Sequence, residues 1–376
     1  MNVCYNSESV QIEKKGNDMT ADFAEPLLLW YDRNARELPW RQSKDPYRVW
    51  ISEIMLQQTR AQAVIPYYER FLLSLPDVKA LAACPDDELM KLWEGLGYYS
   101  RARNLKKAAL VIEENYEGRF PETADELVKL PGIGEYTAGA IASIAFGEAV
   151  PAVDGNVLRV MARLTDDPRN ILDPAVKKYF TELLKETGPR EPFAFGNLNQ
   201  AFMDLGSLIC LPGDKPQCEG CPVRRECLAA ARGTASVLPV RIKKTGKRRE
   251  LRTVFIFRSG EKIAVRKRKN EGLLAGLYEF PNTEGRLTKE EAALYAENLG
   301  FSADAVKALP AARHVFSHVT WEMTGYEIRV LGDAEGFIFA EPKRIEEQYP
   351  IPSAFAAYAK ACNIRVGAGK NKGEKA

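Results

Sequence analysis

No run of about eighteen apolar residues occurs in this 376-residue chain, so nothing in it is expected to span a membrane. The N-terminal stretch MNVCYNSESVQIEKKGND lacks the apolar core of a secretory signal, which points to a cytoplasmic protein. Net charge is nearly absent as well, +2 at pH 7, and says little about partners by itself. In a reducing compartment the seven cysteines are not disulfide material. What is present suffices for a folded protein. With 45% hydrophobic and 28% charged residues the chain can bury a full core without staples, and its length makes two domains the default expectation.

Strand-like alternation is missing from Thr20 to about Arg232, where the apolar spacing is helical almost throughout. Asp45-Pro46, Pro85 to Leu89 and Asp173-Pro174 each put a cap or a proline at a helix start, and GRFPET and LPGIG break helices. Arg241 to Lys269 carries thirteen Lys/Arg against two Glu, a composition that fits a solvated face or a phosphate track equally well. Farther on, RTVFIFRSGEKIAVRKR predicts two short strands about a Ser-Gly turn, WEMTGYEIRV predicts another, and TKEEAALYAENLG a helix ending in Gly300. The expected organisation is multi-domain: a disordered extension (1–19), an all-α region (20–232), a basic linker (233–249), an α+β domain (250–362) and a disordered tail (363–376).

Four cysteines, Cys210, Cys218, Cys221 and Cys227, form C-x7-C-x2-C-x5-C within residues 210–227. A Cys4 zinc site usually has two C-x2-C knuckles and this loop has one, so an iron–sulfur cube fits better than zinc. Upstream, within 130–150, LPGIGEYTAGAIASIAFG opens on a turn in which Gly132 and Gly134 flank Ile133. Two glycines allow a sharp turn and a close approach, and the N–H groups of the next helix start favour an anion. An ordinary tight helix–helix turn would read the same way. In AVPAVDGNVLRVMARL, Asp154 precedes a helical stripe of Val157, Val160/Met161 and Leu164, where aspartate is a good N-cap. Glu53, in VWISEIMLQQTR, lies mid-helix in an apolar run; Trp50, Ile54 and Leu56 would desolvate it and raise its pKa, although a surface glutamate is the plainer reading of that residue alone.

Taken together, the motifs from about Phe23 to Arg232 resemble the helix–hairpin–helix DNA glycosylases that carry an iron–sulfur loop. The resemblance implies that Gly132, Ile133 and Gly134 hold a DNA phosphate, that the four cysteines hold a [4Fe-4S] cluster, and that Asp154 is catalytic. SEIMLQQT is similar to the adenine-glycosylase (MutY) branch, which makes Glu53 the second catalytic carboxylate; the endonuclease III branch lacks a glutamate there. Bifunctional members carry a lysine two residues after the hairpin glycine to form a Schiff base, whereas Tyr136 stands there here, so base removal without strand cleavage is expected. Glu53 would protonate adenine N7 and later activate water, and Asp154 would stabilise or trap an oxocarbenium-like sugar, with Tyr136 and Asn156 hydrogen-bonding around it. Adenine must first leave the stack. The resemblance assigns Trp40, Arg41, Leu56, Gln200 and Met203 to the adenine pocket, and Gln58 and Tyr98 to a wedge in the duplex.

The segment RHVFSHVTW holds both histidines of the chain, His314 and His318. Its F-S-H, together with GLLAGLYEFP, is similar to a Nudix-related domain that reads 8-oxoguanine. That base differs from guanine by an N7–H donor and an O8 acceptor, and the Ser317 hydroxyl could accept from the N–H while Phe316 and His318 position it. The helix KEEAALYAENLG lacks the paired glutamates of a Nudix metal site, with Glu297 alone near a metal position, so a reader rather than a hydrolase is expected. Two departures stand out. The first cysteine gap is seven residues where six is usual, so the loop should bulge, and Glu135 sits beside the hairpin where a neutral or basic residue would suit a phosphate better. The expected protein is a monomeric adenine glycosylase of duplex DNA carrying adenine opposite 8-oxoguanine or guanine. A thymine- or oxidised-pyrimidine-specific glycosylase of the same fold, a lesion-binding scaffold and a nucleotide-pool hydrolase are the competing expectations.

Overall fold

The computed structural model describes residues 23–242, 246–331 and 334–366. The expected disorder of residues 1–19 and of the tail from Gly367 lies outside them. In chain order the first helices are α1 (Ala24–Asn34), α2 (Pro46–Leu56), α3 (Ala61–Ser74), α4 (Val78–Ala83), α5 (Asp86–Leu92), α6 (Ser100–Tyr116), α7 (Ala124–Leu127), α8 (Glu135–Ile141), α9 (Gly155–Leu164), α10 (Pro174–Thr187), α11 (Ala194–Leu208) and α12 (Leu228–Arg232). Among the described residues no strand occurs before Ile242, in line with the missing alternation. Asp45 and Asp173 cap α2 and α10 with a proline at the first turn, and Asp77 caps α4, each carboxylate accepting a first-turn N–H.

The chain divides into two compact units, Met1–Glu37 with Glu135–Lys243 and Leu38–Gly134 with Lys244–Ala376. In the first, α9 is buried on every face from Val157 to Leu164, within a core that includes Leu27, Phe180, Leu198 and Phe202. Its sequence suggested an amphipathic helix. Instead Arg159 and Arg163, one turn apart, are themselves buried. At the C-terminal end of α1, Arg36 Nε donates to Oδ1 of the fully buried Asp204 of α11 at 2.7 Å. The small residues of α8 have a packing cause: a Cβ at Gly139 would stand 2.5 Å from the Pro151 carbonyl oxygen, so only glycine lets that backbone so close.

The second unit combines α2 to α7 with a mixed sheet. Its strands are β1 (Arg248–Ser259), β2 (Lys262–Lys267), β3 (Tyr278–Glu279), β4 (Asn282–Glu284), β5 (Ser302–Val315), β6 (Val319–Leu331) and β7 (Ile338–Ala340), with α13 (Lys289–Asn298), α14 (Pro342–Gln348) and α15 (Ala356–Ala361). The order is β3-β2-β1-β6-β5, β1 and β6 run parallel, β4 pairs with β1 and β7 with β2. The run VFIF explains itself as a strand covered on both faces. Val254 and Ile256 pack with Trp321, Phe355 and Tyr358, while Phe255 and Phe257 pack with Phe301, Ile328 and the inner face of α13. Thr288 and Glu291 form a capping box on α13.

Three features differ from the sequence expectation. β1 is twelve residues long, not short. β5, an Ala-rich segment containing Pro310, gave no strand signal; it lies at the sheet edge with irregular register between Leu309 and Ala312, where a proline is tolerated. The core also runs past Cys362, since Ile364 is only 3% exposed.

Candidate functional site

In the first unit, Asp154 is the N-cap of α9, in extended backbone at φ −108° and ψ −173°. Its Oδ1 accepts from Asn156 N at 2.8 Å and Val157 N at 2.9 Å, and its Oδ2 accepts from Asn156 Nδ2 at 2.8 Å. Burial pushes this carboxyl above the ordinary aspartate range, while the three hydrogen bonds and nearby Arg159 pull the other way. Asn156 is tied in turn: Arg159 Nη2 donates to its Oδ1 at 3.0 Å and to Gly206 O at 2.7 Å, and Arg159 Nε reaches Cys210 O at 2.9 Å. A continuous line of hydrogen bonds therefore joins Asp154 to the first cysteine of the loop. Half-buried Tyr136, on α8, points its Oη at the sulfur of Met203 at 3.8 Å. Gln200 and Met203 are both half-buried, one turn apart on α11. Glu135 is paired with Lys177 Nζ at 2.8 Å, which holds its carboxyl below the ordinary glutamate range and brings a cation beside the hairpin's following helix.

Cys210, Cys218, Cys221 and Cys227 line one pocket with Val160, Leu164 and Leu205 among its apolar walls. Burial pushes the Cys221 thiol up to about 12, and the other three sulfurs add to this. Arg163, 2% exposed, stitches the loop: Nη1 donates to Cys210 Sγ at 3.3 Å and Leu211 O at 2.8 Å, Nη2 to Gly213 O at 2.9 Å, and Nε to Leu238 O at 2.9 Å. The long first gap is closed by Gln217 N donating to Ile209 O at 2.9 Å. Among the described residues no three His, Cys, Asp or Glu side chains close on a point that would hold a single metal ion. A ring of four soft thiols around a pocket, with buried guanidinium charge beside it, fits the donor set of an iron–sulfur cube. Neither Arg159 nor Arg163 was singled out from sequence.

In the second unit, Glu53 sits in the middle of α2 at 4% exposure, between fully buried Trp50 and nearly buried Ile54. The 3-10 turn Pro39–Arg41 packs on α2, bringing Trp40 and Arg41 to the helix that carries Glu53 and half-buried Leu56. Trp40 is 6% exposed and edge-on to Tyr68, a core placement as much as a pocket wall. The turn at Leu130 to Gly134 is closed by Ile133 N donating to Leu130 O at 3.1 Å, with Gly132 at φ +77° and a Cβ there only 2.5 Å from Asn104 Cβ. Gly132 and Gly134 are exposed and Ile133 buried, so the two glycines form the presenting surface.

Gln58 and Tyr98 are exposed and both lie in the left-handed region, at φ 59° and 48°, which costs on the order of 1 kcal/mol per non-glycine residue. Tyr98 Oη and Ser317 Oγ are 2.8 Å apart, and both line a cavity of about 680 Å³ with Phe316 and His318. Phe316 packs edge-on against Trp321 and His314, which fixes its ring. Much of the basic run is neutralised locally: Arg248 and Arg252 pair with Glu250, Arg266 and Arg268 with buried Glu279, and Lys267 with Asp87 at 2.5 Å. Those charges form a satisfied sheet surface more than a phosphate track.

Residues 51–186 match the HhH-GPD superfamily of base excision DNA repair proteins, and residues 253–361 match the NUDIX domain. The chain is 33% identical over 309 residues to the adenine DNA glycosylase of Buchnera aphidicola subsp. Acyrthosiphon pisum, covering 82% of this chain and 87% of that one. It is 35% identical over 374 residues to the adenine DNA glycosylase of Rattus norvegicus, covering 84% and 72%. Among solved structures, a thermostable thymine-DNA glycosylase aligns with 56% of this chain and 95% of its own at a TM-score of 0.50 and 29% identity. Among the described residues no helix is long and apolar enough to cross a membrane.

Proposed function

This chain belongs to the adenine DNA glycosylases, base excision repair enzymes that hydrolyse N-glycosidic bonds in duplex DNA, and we propose that it excises adenine from opposite 8-oxoguanine, leaving an abasic site without cutting the strand. One observation carries the 8-oxoguanine part: the Tyr98 hydroxyl touches the Ser317 hydroxyl in the cavity that Phe316 and His318 also line. When Ser317 donates its proton to Tyr98 Oη, both of its lone pairs are left to accept. They match the N7–H of 8-oxoguanine. Guanine N7 is itself an acceptor, so Ser317 would have to turn its proton from Tyr98 to the base, with Tyr98 donating to Ser317 in its place, a reversal of the pair that 8-oxoguanine does not require.

At the other strand the flipped adenine is worked on by two carboxylates of opposite role. Glu53, in its apolar setting, carries the proton to N7 and then takes one from the attacking water. Asp154, held rigid by three donors, offers its charge to the sugar as the bond to adenine breaks. Asn156 fixes the rotamer of Asp154, and Tyr136 of the same unit contacts Met203, one turn from Gln200 on α11. Tyr136 has no amine, so no Schiff base forms there. Cys210, Cys218, Cys221 and Cys227 would hold a [4Fe-4S] cluster, which would supply metal–thiolate cross-links across the loop.

The test is base release under single turnover from duplexes carrying A opposite 8-oxoguanine, A opposite G and T opposite G. Ser317→Ala should narrow the preference for 8-oxoguanine over G about three- to tenfold, the worth of one neutral hydrogen bond. An unchanged ratio would remove Ser317 from recognition. Separately, Cys227→Ser should purify with less iron per chain and a lower thermal midpoint, because the loop loses one of its cross-links. Unaltered iron content would refute the cluster assignment.

A further inference from the structure

The two proposed wedge residues are linked by a third that nothing above employs. Gln58 follows the C-terminus of α2 and Tyr98 lies just ahead of α6, forty residues apart by number, and both have left-handed backbone. The carbonyl immediately before each is held by the same side chain. Arg101 Nη1 donates to Gln57 O at 2.8 Å, and also to Ile54 O at 2.6 Å and Met55 O at 3.0 Å. Its Nη2 donates to Gly97 O and Leu96 O, both at 3.0 Å. The guanidinium also lies over the rings of Tyr98, at 5.7 Å, and Trp93, at 5.3 Å.

Arg101 is 8% exposed, and its described partners are these five carbonyls and two rings, with no carboxylate among them. Burial without a counter-ion pushes it down to about 10. A buried, unpaired cation is an expensive way to fill space, and an apolar residue would do that better. What only a planar fork can do is gather the terminal carbonyls of a helix and those of a neighbouring turn at once. A lysine, a single point donor, cannot span both.

We infer that Arg101 is the positioning residue of the duplex wedge, clasping the Gln57–Gln58 and Gly97–Tyr98 turns so that both side chains are set before DNA arrives. This rests on the reading of Gln58 and Tyr98 as wedge residues. Arg101 touches neither adenine nor the reacting sugar, so its effect falls on extruding the base from the stack and not on breaking the bond.

The experiment compares excision from an intact duplex, A opposite 8-oxoguanine, with excision from the same strand carrying the adenine in an unpaired bulge, where unstacking is largely done. Arg101→Lys should lose about tenfold or more on the duplex and less than about threefold on the bulge, with 2-aminopurine in place of adenine showing a smaller fluorescence rise on binding the duplex. Equal losses on both substrates, or none, overturn the inference. Gln58→Ala and Tyr98→Ala run in parallel: if neither favours the bulge, it is the wedge reading that fails, whatever Arg101→Lys does. If Arg101→Lys does not unfold cooperatively, Arg101→Gln is read in its place. If neither variant unfolds cooperatively, Arg101 is a scaffold residue and the inference is wrong.

Discussion

Glu53→Gln should fold, bind duplex DNA and release adenine about 10³-fold more slowly, within the range that general acid–base catalysis supplies. The substitution keeps shape and hydrogen-bonding capacity, so the packing around α2 has no reason to change. Trp50, Ile51 and Met55 are fully buried and Ile54 nearly so, and an amide of equal volume leaves that surface intact. What an amide cannot do is deliver a proton to N7 or take one from water. The effect should therefore fall on the chemical step, with the duplex dissociation constant changed little. Each single-turnover reaction is split, half treated with alkali. Wild type should yield strand breaks only in the treated half, because the product is an abasic site. If Glu53→Gln keeps its rate within a factor of about ten, the acid is elsewhere. If untreated breaks dominate in wild type, the chemistry includes a lyase step that Tyr136 was taken to exclude.

Local chemistry was readable and distant partnership was not. Asp154 was legible as a cap because the rule needs only the residue and the stripe that follows it, and the α2 and α10 starts were legible from Asp-Pro for the same reason. VFIF could be read as a strand because its residue types say so without reference to neighbours. β5 could not. Its alanines carry no strand preference and Pro310 argues against one, so it is a strand because β6 offers an edge for it. Arg159, Arg163 and Arg101 were missed for a related reason. On a helical wheel an arginine marks the polar face, yet these three turn inward to satisfy carbonyls contributed by segments 4 to 75 residues away. Glu135 looked unfavourable beside a phosphate-binding turn, and the Lys177 that answers it lies on another helix. The basic run looked like one feature in composition, but pairing with Glu250, Glu279 and Asp87 divides it into local ion pairs.

Asp154 holds two jobs that a pair of substitutions separates. Asparagine caps a helix as well as aspartate does, so Asp154→Asn keeps partners for the Asn156 and Val157 N–H groups and should leave the thermal midpoint within a few degrees of wild type. Asp154→Ala loses the cap too and should cost about 1 kcal/mol more. Both lose the charge proposed to face the developing sugar cation, and both should slow excision about 10²- to 10³-fold, as when one preorganised electrostatic group is removed. Equal stability of the two variants would show that the cap does not matter, and an active Asp154→Asn would show that the charge does not. pH gives an independent check on the same carboxyl. Burial raises it in the folded protein, so the ionised form needed for catalysis is titrated away at a pH above the ordinary aspartate value of 3.8. The wild-type rate should fall on the acid side at that elevated position, and the residual rate of Asp154→Asn should lack this limb. Stability runs the other way. A carboxyl raised on folding contributes stability that is complete below its unfolded value and is lost as pH rises through the folded one. Relative to wild type, Asp154→Asn should therefore gain in thermal midpoint as pH rises through that interval. The same burial that makes Asp154 effective against a sugar cation thus costs the resting fold when the carboxylate is ionised, which is the pattern expected of a residue placed for chemistry rather than for capping alone.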